Sequence, residues 1–89
     1  MKIKEGFRMR PLGDGFIVTG EGIEQVNFNK MISMNSTAAF LWEGLQGREF
    51  EVKDVKQLLL DEYGIDDAVA ARDSEAIVLK WKEAGLIEG

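Results

Sequence analysis

Carboxylates are the side chains in this sequence whose type best suits them to chemistry. They stand in pairs at Asp61-Glu62, at Asp66-Asp67, and at Asp73 with Glu75. Two carboxylates at a suitable separation can divide general-acid and general-base roles or hold a hard cation. Their spacing here argues for simpler work. Neighbouring residues on a helix point to different sides, and acids at a helix start answer the positive end of its dipole. The chain contains neither histidine nor cysteine. That removes the commonest general base, the commonest metal ligand, the thiol nucleophile, and every disulfide or zinc-thiolate site. Ser33, Ser36, Ser74, Thr19 and Thr37 therefore have no histidine to activate them, and no lysine stands at a Ser-Lys spacing. Gly13-Asp14-Gly15 and Gly20-Glu21-Gly22 place glycines close together, but neither leads into a helix as a phosphate cradle must, so both read as turns. The expectation is a protein that is not an enzyme and needs no metal or cofactor.

Charge narrows the partners. The formal net charge is −5, and a backbone-driven nucleic-acid binder needs a basic face. Near the C-terminal end, Arg72, Lys80 and Lys82 alternate with Asp73, Glu75 and Glu83, a mixture suited to a solvated helix face rather than to a DNA-reading helix. No stretch approaches the ~20 apolar residues of a membrane span, and the polar start Met1-Lys2-Ile3-Lys4 lacks a secretory pattern. A cytoplasmic location is expected. Asn35-Ser36-Thr37 has the form of a glycosylation sequon, but without secretion it reads as a helix start.

The elements that would position these groups follow from hydrophobic periodicity. With 89 residues, 45% hydrophobic and 30% charged, the chain suits one globular domain over 1–89, being too short for two cores. Phe7-Arg8-Met9-Arg10 alternates as a half-buried strand, with Pro11 at its end or on an edge, and Leu12-Gly13-Asp14-Gly15 turns the chain into a second strand, Phe16-Ile17-Val18-Thr19. A third apolar stretch runs from Val26 to Met34 and is securest as a strand over Met31–Met34. Asn35 or Ser36 then caps a helix carrying Ala38, Phe40, Leu41 and Leu45, with Trp42 in the core and Gly47 as its stop. Glu51 or Val52 opens a second helix with the stripe Val55, Leu58, Leu59 and Tyr63, stopped by Gly64. Asp66 and Asp67 begin a third, whose stripe is Val69, Ala70, Ile77, Trp81 and Ala84. The fold class expected is α+β: a three-stranded antiparallel sheet followed by three helices, arranged like a winged helix.

The order of these segments carries more than their composition. Phe7-Arg8-Met9-Arg10 comes first, and Met31-Ile32-Ser33-Met34-Asn35-Ser36-Thr37-Ala38 leads into Phe40-Leu41-Trp42. Glu49-Phe50-Glu51-Val52 opens a helix ending Asp61-Glu62-Tyr63-Gly64, and Ala70-Ala71-Arg72-Asp73 precedes Trp81-Lys82-Glu83-Ala84-Gly85-Leu86. From Gly6 to Ile87 this succession resembles the PqqD-like family, named for a pyrroloquinoline quinone biosynthesis protein. The resemblance implies a non-catalytic adaptor, or peptide chaperone, of natural-product biosynthesis. Such an adaptor recognises the leader of a ribosomally made precursor peptide and presents it to a modifying enzyme, often a radical SAM enzyme. It further implies that the leader extends the sheet along the third strand, in a groove completed by the third helix. Carried onto this chain, the peptide-binding residues would be Lys30, Met31, Ile32, Ser33 and Met34 on the strand, with Asp73, Ala76, Ile77, Lys80 and Ala84 on the helix. The same residues have plainer uses: Met31, Met34 and Ile77 suit a core, and Asp73 a structural acceptor. A bare edge strand could also pair with a second copy to make a homodimer. A structural or regulatory interaction subunit is thus the alternative, with a DNA-binding winged helix behind it.

Overall fold

The protein is described here by a computed structural model covering residues 1–20 and 31–88. The expected strand character of Val26 to Phe28 lies outside the described residues. Strand β1 (Lys2–Ile3) is followed by β2 (Phe7–Leu12), β3 (Gly15–Gly20) and β4 (Met31–Met34), then helices α1 (Ser36–Leu45), α2 (Val52–Tyr63) and α3 (Asp67–Glu83), and finally β5 (Ile87–Glu88). The expected three strands are β2, β3 and β4, which form one antiparallel sheet in that order. The expected three helices follow them.

Local chemistry explains where the elements turn and stop. Leu12 pairs with Gly15 across the two-residue turn Gly13-Asp14, and Gly13 supplies the positive φ of 61° that such a hairpin needs at its first central position. Pro11 is tolerated because β2 is an edge strand. Asn35 caps α1 by accepting the Ala38 N–H at Oδ1, 2.8 Å away. Glu51 and Asp54 form a reciprocal box at the start of α2, and Gly64 closes that helix in the left-handed conformation.

Register assigns the sheet's two faces. Met9, Val18 and Ile32 stand opposite one another, as do Phe16 and Met34, and this face packs on the helices. Arg10, Ile17 and Ser33 share the other face. The core between sheet and helices holds Val18, Met34, Leu41, Trp42, Leu45, Phe50, Val55, Leu59, Val78, Trp81 and Leu86. Trp42 and Trp81 meet edge to face with ring centroids 5.5 Å apart, the arrangement that the ring quadrupoles favour. Lys56 and Asp67 join α2 to α3 through an ion pair of 2.9 Å.

Three features differ from expectation. A second, two-stranded sheet brings the chain ends together, pairing Ile3 with Ile87. The buried stripe of α3 is Ala70, Ser74, Val78 and Trp81, so Ser74 and Val78 take places in the core while Val69, Ile77 and Ala84 are only half-buried. Ser74 is tolerated there because its hydroxyl donates to the Ala71 carbonyl at 2.9 Å. On α2, Val55 and Leu59 are buried whereas Tyr63 is exposed, its ring meeting Phe40 edge to face at 5.9 Å.

Candidate functional site

Strand β4 is one of the two outer strands of its sheet, β2 being the other. Its inner edge pairs with β3 from Phe16↔Met34 to Thr19↔Met31, and among the described residues no strand pairs its outer edge. A four-residue edge leaves a short row of backbone donors and acceptors available to an added chain.

A groove of about 410 Å³ opens between this edge and α3, within the size range of ligand pockets. Its floor is apolar, made by Met34, by Ala38 and Leu41 of α1, by Leu59 of α2 and by Trp81 of α3. Its far wall is one face of α3, where Asp73, Ala76, Ile77 and Lys80 stand in succession. Ser33 forms the strand-side rim, and Asn35 and Thr37 close the end where β4 turns into α1. The two-turn span from Asp73 to Lys80 gives the wall a carboxylate at one end, an ammonium at the other, and Ala76 and Ile77 between them.

Six of the residues singled out from the sequence therefore share this groove: Ser33, Met34, Asp73, Ala76, Ile77 and Lys80. Ile32 stands opposite Val18 on the core face, outside the groove lining. Ala84 ends α3, its N–H bonded to the Lys80 carbonyl, and also lies outside the lining. Met31 pairs with Thr19 on the inner edge of β4. Lys30 lies outside the described residues. Arg72, the other cation on this helix, is absent from the lining and pairs loosely with Asp73 at 3.9 Å.

The lining residues that sequence reading did not assign to a site are Asn35, Thr37, Ala38, Leu41, Leu59 and Trp81. Most of them read as core or cap, and they are that as well. The available signal was positional: a helix cap following a strand by one residue must bring the first turn of the helix to the end of that strand's edge.

The described residues include no cluster of three metal-ligating side chains and no helix long and apolar enough to cross a membrane. No buried side-chain polar atom among them lacks a partner. The groove thus offers shape, apolar surface, backbone hydrogen bonds and two rim charges.

Comparison with known proteins places these features in context. The family model described as Coenzyme PQQ synthesis protein D (PqqD) matches residues 16–87. Among solved structures, one described as "TbiB1 in Complex with the TbiA(beta) Leader Peptide" superposes with a TM-score of 0.76 at 16% sequence identity, covering 100% of this chain and 96% of that one. No curated protein matches the chain.

Proposed function

Because the chain belongs to the PqqD family, we propose that it is a non-catalytic adaptor. It recognises the leader of a ribosomally made precursor peptide by strand addition and presents that peptide to a modifying enzyme, with a radical SAM enzyme as the partner class. The observation that carries this reading is the outer edge of β4, which no strand pairs among the described residues, facing α3 across an apolar groove. The structural relative bound to a leader peptide supports it.

The energetics fit the geometry. A four-residue edge can add about four backbone hydrogen bonds, each with a net worth of ~1 kcal/mol. Micromolar binding needs about 8 kcal/mol, and ordering a flexible leader costs a further ~2–5 kcal/mol. Backbone pairing is therefore too weak alone. About three apolar side chains entering the groove, at ~2–3 kcal/mol each, close the difference. Recognition on this account combines a sequence-independent edge with an apolar floor that chooses among sequences. With neither histidine nor cysteine, the chain holds the peptide while the partner enzyme supplies the chemistry.

The test is a backbone amide chemical-shift titration of labelled protein with peptides selected from a displayed library. Shifts gathered at Met31–Met34 and along α3 from Asp73 to Lys80 are expected. Selection of no binder, or shifts on the opposite face of the sheet, would sink the reading. The same outer edge of β4 also allows pairing with a second copy. Mass that rises with concentration and falls on adding peptide is the expected signature of that competing use.

A further inference from the structure

Strand addition does not by itself specify how a peptide lies. The donors and acceptors of an edge repeat every second residue, so β4 accepts a chain in registers two residues apart and offers bonds to either chain direction. Something beside the edge must remove that degeneracy, and the wall of the groove carries an asymmetry able to do so. Asp73 and Lys80 share one face of α3, about 10.5 Å apart along its axis. That distance corresponds to about three residues of extended chain. Between them stand Ala76, which leaves room, and Ile77, which continues the apolar floor.

Both charges are available to a ligand. The Asp73 side chain is 54% exposed, and its ion pair with the adjacent Arg72 is long, at 3.9 Å. Lys80 is exposed, and among the described residues it forms no ion pair. A carboxylate and an ammonium at opposite ends of an apolar wall attract side chains of opposite sign and repel the reverse order. Charges in this position set orientation and register more than total affinity.

Resting on the strand-addition reading, we propose that Asp73 and Lys80 select the direction and register of the bound peptide. The segment they take is extended, with an apolar anchor over Ile77 between a basic residue beside Asp73 and an acidic residue beside Lys80. The order of signs along the ligand is then a recognition element specific to this chain, because it depends on which charges stand at these two positions.

The experiment is a displayed library of short segments with one apolar position fixed and the flanking positions varied among Lys, Glu and Ser. It is selected on the wild-type protein, on the Asp73→Lys/Lys80→Glu double swap and on Asp73→Asn/Lys80→Gln. Both replaced groups are at the surface, and circular dichroism checks that each variant folds. The wild type should enrich one sign order, the swap the reverse, and the neutral pair neither. Winning peptides should lose about tenfold in affinity when moved to the swapped protein, the effect of two exposed pairs turned to repulsions. Enrichment with no sign order, or the same order on wild type and swap, overturns this inference while strand addition stands. Absence of any enriched peptide on all three proteins overturns both.

Discussion

Trp81 and Ile77 separate stability from binding within one groove, although both line it. Trp81 is 1% exposed and meets Trp42 in the core. Trp81→Ala should cost about 3–5 kcal/mol and leave little folded protein for any assay. Ile77 is only half-buried. Ile77→Asp should be tolerated at a cost of about 1–2 kcal/mol, yet weaken peptide binding by tenfold or more, because it puts a charge where an apolar anchor docks. Urea denaturation and fluorescence anisotropy of a labelled peptide measure the two effects separately, and parallel losses in both would mean Ile77 is core alone. Ser74 shows where residue types mislead. A hydroxyl on a helix looks like a surface group, but its bond to the preceding turn lets it be fully buried. The family resemblance put Asp73, Ala76, Ile77 and Lys80 forward together, and their spacing of three and four residues along α3 is what sets them on one wall of the groove. Sequence reading could not place the boundary between core and groove, which depends on how closely α3 approaches β4.

Strand β4 is the element on which the proposed function depends, and it is short. An added chain would alternate, one residue bonding to β4 and the next pointing its N–H away. N-methylation scanned along a bound peptide should therefore show a period of two: affinity falls about tenfold or more at every second position and little between. Loss at every position, or at none, would contradict strand addition while leaving groove binding intact. The strand also depends on its neighbour. A side chain at Gly15 would put Cβ 3.0 Å from the Met34 carbonyl oxygen, a backbone atom that cannot swing aside. Gly15→Ala should displace the end of β4 and reduce both stability and peptide affinity, by about 1–2 kcal/mol in stability. Elements with strong periodicity or a clear cap were readable from the chain: the β2–β3 hairpin from its glycines, α1 from Asn35, α2 from Gly64. The two-residue strands β1 and β5 were not, since two residues cannot show a period.

At the scale of the molecule, that unforeseen pair of strands holds the chain ends against the helical core. Ile3 stands opposite Ile87, and both are buried. The Lys4 N–H donates to the Leu86 carbonyl at 2.9 Å, and Phe50 and Met1 bond through their backbones at 2.8 Å. The clasp thus joins the first residues, the α1–α2 connection and the turn after α3, none of which borders the groove. A chain this small has a modest margin of stability, about 5–15 kcal/mol for natural domains, so a peripheral clasp can contribute a large share of it. Ile3→Ala removes a buried aliphatic group and should cost about 2–4 kcal/mol, seen as a lower urea midpoint with little change in slope. Peptide affinity, corrected for the fraction folded, should stay within about twofold of wild type, a difference below ~0.5 kcal/mol. A larger loss would mean that the clasp positions α3 against β4 and that the groove is set by the whole molecule rather than by the two elements lining it.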